Sequence, residues 1–237
     1  MKVHLISHTP DILDILYTAA KTCYSSKDPF VLMSDDSVSR EDKEALIKKI
    51  IASGHQSVLE HCLFTFSISE VSRACTHQLV RHRLASYSQQ SQRYVIEKGE
   101  FQYVIPRSIE EKEELKEDFE KLMKEISNLY QRFIESGVPS EDARFVLPSA
   151  VKSNIIMSMN ARELLHFFTV RCCSRAQWEI RELAWKMLSL VQNVAGFIFE
   201  KAGPNCVDSS CLEGSFSCGN PVTQEKRSTL LKTVEFL

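Results

Sequence analysis

The chain has 237 residues, of which 43% are hydrophobic, and its 29 Lys and Arg nearly balance its 31 Asp and Glu. This composition excludes a disordered or collagen-like chain, and the near-neutral charge argues against a general nucleic-acid binder. The lack of an apolar run of about 18 residues, and of a signal-peptide pattern at the start, predicts a cytoplasmic protein without a membrane span.

The hydrophobic pattern predicts alternating strands and helices in the first eighty residues. Period-two alternation indicates strands, apolar residues at helical spacing indicate helices, and a Glu-rich first turn marks one helix start. In chain order we expect a strand over 2–7, a helix over 10–23, a helix over 39–53, a buried strand over 61–69 and a helix over 70–80.

The remaining chain begins with a polar segment, 86–93, which we expect to be a loop. The following elements are a strand over 94–105, an amphipathic helix over 108–136, a short helix over 139–147, an extended segment over 152–159, and helices from Asn160 and Ser174. Asn160 with Glu163, and Ser174 with Gln177, have the spacing of a capping box. No Pro/Gly/Ser-rich linker appears, so we predict one α/β domain over 1–202 and a Cys/Gly/Ser-containing surface extension over 203–237.

The chain contains eight cysteines, which without an export signal are expected to be reduced. Cys23, Cys62 and Cys75 lie in apolar stretches of sequence, which also favours reduced thiols. The late cysteines could form a zinc-binding interaction domain, and they are Cys172, Cys173, Cys206, Cys211 and Cys218. None of their spacings is CxxC, so free thiols and no metal site are favoured, with zinc as the alternative.

The segment 81–94, RHRLASYSQQSQRY, carries three arginines and three serines without a carboxylate. Guanidinium groups bind phosphate in bidentate geometry, and hydroxyls add neutral donors, so the segment suits a phosphorylated ligand. Two alternatives remain open: surface ion pairs, and a nucleic-acid-binding module that uses Arg81, Arg83 and Arg93 on phosphates.

Arg81-His82-Arg83, seven residues and Ser91 resemble the RHR-x7-S signature of flavin-dependent thymidylate synthases. Further blocks stand in family order, and they are 54–57, 60–61, 142–144 with 147–148, 160–162, and Arg171 with 176–179. The resemblance covers most of residues 50–185.

The resemblance implies a mixed α/β fold with a central, mostly antiparallel sheet flanked by long helices, assembled as a homotetramer with active sites between subunits. The implied reaction converts dUMP to dTMP, with 5,10-methylenetetrahydrofolate as carbon donor and FAD, reduced by NADPH, as hydride donor. Neither nucleic acid nor membrane is an implied partner.

Matching the family's motifs to this chain implies two sets of ligand-contacting residues. Flavin contacts are implied for His55, Ser57, Arg81, His82, Arg83, Gln89, Asn160, Arg162 and His166. Contacts with dUMP are implied for Gln78, Arg81, Gln89, Gln90, Ser91, Gln92, Arg93, Arg144 and Arg171. Ser88 and Gln89 depart from the usual Asn and Glu, and the second change removes a charge.

Methylation at carbon 5 of uracil requires that carbon to become nucleophilic, and no cysteine stands in the motif segment. The resemblance assigns ring activation to Arg171, which would stabilise the anionic ring by fixed charge. Ser91 is interpreted as a binding residue rather than a nucleophile, because no acid follows within the motif to orient His82 as a base.

Overall fold

A computed structural model describes residues 1–35, 37–207 and 209–235. Four strands in this part of the chain form one antiparallel sheet in the order β1-β2-β4-β3. They are β1 (Lys2–His8), β2 (Leu63–Ser72), β3 (Ala85–Gln89) and β4 (Lys152–Asn160). Along β4 every second residue from Ser153 to Met159 is buried, the period-two pattern of a strand with one face on the core. The mixed α/β fold class and the antiparallel sheet are therefore confirmed.

Helices make up most of the remaining described chain. They are α1 (Ile12–Thr22), α2 (Pro29–Met33), α3 (Arg40–Ala52), α4 (Arg73–Leu79), α5 (Arg107–Glu110), α6 (Glu113–Glu135), α7 (Ser140–Ala143), α8 (Ala161–Arg171), α9 (Trp178–Phe199) and α10 (Gln224–Glu235). Short 3₁₀ segments lie at Gln56–His61, Arg144–Val146, Asn205–Val207 and Gly214–Phe216. Within the described residues, no helix is long and apolar enough to span a membrane.

Contacts divide the chain into two compact units that alternate along the sequence. We name the first, residues 1–2, 67–81 and 87–156, the α6 unit, and its core includes Phe101, Met123 and Val151. We name the second, residues 3–66, 82–86 and 157 onward, the α9 unit. In its core the ring of Phe199 meets those of Phe64 and Phe168 edge-on, at centroid distances of 5.6 and 5.9 Å.

Several helix boundaries follow from capping. The Asn160 side chain accepts a hydrogen bond from the backbone N–H of Glu163 at 2.9 Å, which confirms the predicted start of α8. Ser174 does not begin the next helix, because Gln177 caps α9 by accepting from the backbone N–H groups of Glu179 and Ile180. The predicted helix over 108–136 is interrupted between α5 and α6.

Two predictions around the motif segment were wrong. Its first half is not a loop, because Ala85–Gln89 form strand β3 next to β4. The segment 94–105 is not a strand, since its β-pairing is limited to an isolated bridge between Tyr103 and Val151. In both cases the outcome depends on pairing with another strand: β3 has a full partner in β4, whereas 94–105 has a single bridge. Local composition does not reveal such pairing. Of the cysteines in apolar stretches, Cys62 and Cys75 are buried and Cys23 is exposed.

The C-terminal residues include a helix that packs on the rest of the α9 unit. Helix α10 packs on α9, and Arg227, which is 4% exposed, joins them. Its guanidinium donates to the carbonyl oxygens of Ala202 at 2.7 Å and Phe199 at 2.8 Å, and to the side chain of Gln192 at 3.0 Å. Two of these bonds supply partners to the backbone carbonyls of Phe199, at the end of α9, and Ala202, just beyond it, which have no partners within the helix.

Candidate active site

The first three residues of the motif segment are basic and lie in different environments. Arg81 lies just beyond α4 and is exposed, and Arg83 is also exposed. His82, between them, is 7% exposed and packs edge-on against Phe167 of α8 at a centroid distance of 4.9 Å. Of these three residues, His82 is therefore the one that packs into the protein interior.

In the α9 unit, His82 is hydrogen-bonded on both ring nitrogens. The Arg171 Nε–H group donates to His82 Nε2 at 3.0 Å, and His82 Nδ1 lies 3.3 Å from Glu163 Oε1. Because a guanidinium only donates, Nε2 must be the unprotonated nitrogen, and the Nδ1–H group donates to Glu163. We call this chain of hydrogen bonds the Arg171 relay.

Electrostatics keep the His82 imidazole neutral. Burial, together with the charge of Arg171, lowers the pKa of His82 from 6.5 to about 4. Burial also raises the pKa of the Glu163 carboxyl above its usual value. The contact between His82 and Glu163 is therefore a hydrogen bond near neutral pH rather than an ion pair, and it fixes the tautomer that receives Arg171.

His82, Glu163 and His166 are also close enough to hold a metal ion, with ligand atoms within 4.8 Å of one another. However, both nitrogens of His82 are already engaged, and the neighbouring guanidinium of Arg171 repels cations. The arrangement favours orientation of Arg171 over metal binding.

The other predicted flavin residues of the α9 unit are more accessible. His55, Ser57 and His166 are exposed, and the His166 ring centre lies 5.9 Å from that of His82. Arg162 is exposed and forms an ion pair with Glu60. Asn160 uses its side-chain oxygen to cap α8.

In the α6 unit, glutamines of the motif segment are held by neighbouring polar side chains. The Gln89 amide donates to Thr76 Oγ1 at 2.8 Å and to Ser153 Oγ at 3.2 Å. Gln90 accepts from the Asn154 amide at 2.8 Å. Thus Gln89 acts as a hydrogen-bond donor to two hydroxyl groups.

Ser91 and Arg93 form a turn at the end of the segment. The Ser91 hydroxyl accepts from the Arg93 backbone N–H at 3.2 Å. The Arg93 guanidinium pairs with Glu141 at 3.0 Å, so in this chain the surface ion-pair alternative describes Arg93. Gln78 lies half-buried on α4, and its amide donates to the carbonyl of Ala74.

A cavity of about 290 Å³ in the α6 unit brings Gln92 and Arg144 together with Arg73 and His77. The Nη1 atom of Arg73 is buried without a hydrogen-bond partner. Burial and the nearby charge of Arg144 both lower the pKa of the Arg73 guanidinium. Two like charges beside a cavity, one with an unsatisfied donor, form a site that an anion would complete. We call it the Arg73 cavity.

Sequence reasoning missed Glu163 and Arg73 as site residues. Glu163 was interpreted only through its capping-box spacing, and its side-chain partner is 81 residues away. Arg73 lies outside the motif. The four-residue spacing of Arg73 and His77, which places both basic side chains on one face of α4, could have indicated it.

Comparison with known proteins places these features in a family. The sequence profile of the family described as thymidylate synthase complementing protein matches residues 4–195. A flavin-dependent thymidylate synthase of Geobacter sulfurreducens is 51% identical over 220 residues, which span 92% of this chain and 94% of that protein. One from Clostridium tetani is 43% identical over 242 residues, spanning 95% and 96%.

Solved structures agree. The flavin-dependent thymidylate synthase ThyX of Helicobacter pylori, crystallised with FAD and dUMP, superposes with a TM-score of 0.68 at 27% identity, covering 86% of this chain and all of that one. The UMP/dUMP methylase PolB of Streptomyces cacaoi has a TM-score of 0.72 at 22% identity, covering 84% and 93%, and shows likeness of fold. The chain is therefore an enzyme of the flavin-dependent thymidylate synthase family.

Proposed function

We propose that the chain converts dUMP to dTMP, with 5,10-methylenetetrahydrofolate as carbon donor, FAD reduced by NADPH as hydride donor, and Arg171 as the group that activates uracil. The observation that carries this proposal is the Arg171 relay. A neutral, buried His82, fixed by Glu163, holds the Arg171 guanidinium by its Nε–H group at 3.0 Å.

Arg171 would act by preorganised charge. A guanidinium held against the uracil carbonyl stabilises the ring as it becomes anionic, which raises electron density at carbon 5. Cys172, adjacent in sequence, does not suit the alternative of thiolate addition, because it is buried and burial raises its pKa well above the usual value. This contrast supports activation without a cysteine nucleophile.

The Arg73 cavity would receive the anionic part of dUMP. Arg73 and Arg144 supply positive charge, and Gln92 adds a neutral donor beside them. A phosphate there would satisfy the unpartnered Nη1 of Arg73 and offset the repulsion between the two guanidinium groups. The other proposed dUMP contacts are Gln78, Arg81, Gln89, Gln90, Ser91 and Arg93.

Reduced FAD, when bound, would supply the hydride for the methyl group. The donor set suits a flavin nucleotide, because exposed cationic and polar groups can meet its diphosphate and ring edges. The residues that would hold it are His55, Ser57, Arg81, His82, Arg83, Gln89, Asn160, Arg162 and His166. We assign the protein to the cytoplasm, where dUMP, folate and NADPH would be its small-molecule partners.

We further propose a homotetramer with active sites between subunits. Large apolar side chains that a partner could cover are exposed in this chain, among them Phe145 (83% exposed) and, on α6, Leu115 (46%) and Leu122 (50%). The buried residues of α6 are Met123, Ser127 and Tyr130, so both leucines lie outside its buried set. Light scattering at micromolar concentration should give four times the mass of one chain, and a monomer would contradict the assembly.

The decisive experiment mixes the purified protein with dUMP, methylenetetrahydrofolate, FAD and NADPH and measures dTMP by chromatography. We expect a yellow protein absorbing near ~450 nm, as flavins do, and dTMP only when every component is present. Arg132→Ala, which changes an exposed arginine on α6, is the matched control and should retain activity. A protein that takes up no FAD and forms no dTMP would overturn the proposal.

A further inference from the structure

Four cysteines from separated parts of the chain line one small cavity in the α9 unit. Cys173 follows α8, whereas Cys206, Cys211 and Cys218 come from the C-terminal residues. The cavity has a volume of about 30 Å³. A space of that size admits a water molecule or a single ion but no organic ligand.

Backbone N–H groups already point at two of these sulphurs. The Val222 N–H donates to Cys206 Sγ at 3.3 Å, and the Asn220 N–H donates to Cys218 Sγ at 3.4 Å. The second bond closes a turn in which Gly219 has a φ of +66°, a conformation that favours glycine. N–H···S hydrogen bonds of this kind support the ligands of thiolate metal sites, and the Cys218 thiol also donates to the Asn220 carbonyl oxygen at 3.4 Å, a bond that a metal ion would replace.

We propose that Cys173, Cys206, Cys211 and Cys218 bind one structural Zn²⁺ ion. Four thiolates form a closed tetrahedral zinc site, and binding releases the four thiol protons to solvent. Arg175 lines the same cavity, together with Glu213, and its positive charge would partly balance the charge of the complex. The sequence favoured free thiols here because no pair has CxxC spacing, but the fold supplies the proximity that the spacing does not.

The ion would complete the site by drawing the sulphurs inward. Among the described residues, the group whose ligand atoms already lie within 4.8 Å of one another is His82, Glu163 and His166, not the cysteines. Zn–S bonds of about 2.3 Å require sulphurs closer together. Cys211 and Cys218 are exposed, and Cys173 and Cys206 are partly exposed, which leaves their side chains room to rotate.

Zinc would stabilise a part of the α9 unit that includes the Arg171 relay. Cys173 lies two residues after Arg171, and the other three ligands precede α10. The ion would therefore link the end of α8 to the C-terminal residues, and its removal should lower the Tm by about 5 °C or more. This inference does not depend on the proposed reaction, because metal content and metal spectra are measured without turnover.

The test is elemental analysis of the full-length protein purified from zinc-supplemented medium, followed by replacement of zinc with Co²⁺. We expect one zinc per chain, and cobalt d–d bands in the red, where oxidised flavin does not absorb. Cys218→Ser and Cys211→Ser should each lose most of the metal. The control Cys23→Ser changes an exposed cysteine that does not line the cavity, and it should keep the metal.

Thiol titration decides between the remaining states of the four cysteines. If zinc is bound, they should be protected from a thiol reagent in the native protein and become reactive when a chelator or mercurial removes the ion. Substoichiometric zinc with four freely reactive thiols would overturn the proposal, as would two disulfides detected by mass spectrometry. The metal content of the unaltered protein is an independent measurement that does not require either variant to fold.

Discussion

The Arg171 relay and the Arg73 cavity are both built on arginine, but they satisfy it differently. In the relay, a neutral imidazole accepts from the guanidinium and a carboxylate fixes the imidazole, so orientation is settled before any ligand arrives. In the cavity, two guanidinium groups stand close and one buried donor lacks a partner. A guanidinium held by hydrogen bonds within the protein, such as that of Arg171, suits a role that needs a fixed orientation. A guanidinium with an unpartnered donor, such as that of Arg73, suits the binding of a ligand.

The strongest test of this comparison is Arg171→Ala. If Arg171 activates the uracil ring, its removal should reduce dTMP formation by about 1000-fold, the usual effect of deleting a preorganised stabilising group. Flavin absorbance should remain with the protein. Turnover measured by chromatography, beside the Arg132→Ala control, checks this expectation, and retained activity would remove Arg171 from its role.

The pH dependence of stability tests the neutrality of His82. Its pKa is lowered from 6.5 to about 4 in the folded protein, so between these values the unfolded chain binds the extra proton. The contribution of His82 is thus complete above pH 6.5 and is lost as the pH falls through 4, by roughly 3 kcal/mol in total.

Glu163 opposes that trend, because its raised pKa lets the folded state take up a proton first. We therefore expect the loss of stability on acidification to be steeper in Glu163→Gln than in the unaltered protein. Urea unfolding at several pH values between 7 and 4 measures it. Identical slopes in the two proteins would contradict the coupling.

Glu163 itself is a positioning residue, and Glu163→Ala should lower kcat by about tenfold to 100-fold with little change in KM for dUMP. The cap of α8 survives, because it uses the Glu163 backbone rather than its side chain. Glu163→Gln should rescue most of the rate, since the Gln oxygen still accepts from His82. Equal defects in both variants would indicate that the charge, not the orientation, matters.

Arg73→Met should act mainly on binding. We expect KM for dUMP to rise by about tenfold, with affinity becoming less sensitive to salt. Stability should stay level or increase, because the change removes a buried, unpartnered donor and its repulsion with Arg144. Calorimetric titration with dUMP and a thermal melt measure the two effects, and a loss of stability without loss of binding would assign Arg73 to the core.

The smallest effect is expected for Gln89→Glu, which introduces the carboxylate that the family resemblance implies at this position. The Thr76 and Ser153 hydroxyls that now accept from the Gln89 amide can rotate and donate to a carboxylate. Steady-state rates should change by less than about fivefold. A large gain in activity would show that the carboxylate has a chemical role here.

The sequence could predict the elements with strong local signals. Alternation marked β1, helical periodicity marked α1, an acidic first turn marked α3, and Asn160 marked the start of α8. The motif also led to the family, which the relatives confirm. Predictions failed where a distant neighbour decides the outcome, as for β3, which is polar in sequence yet pairs with β4.

By itself, then, the sequence determined the mixed α/β class, the family and the basic character of the motif segment, because composition, periodicity and motif spacing are local properties of the chain. Only the tertiary structure decided that Glu163 orients His82, that Arg73 faces Arg144, and that four cysteines share a cavity. The reason is physical: burial and contacts between residues far apart in sequence exist only once the backbone has closed around them.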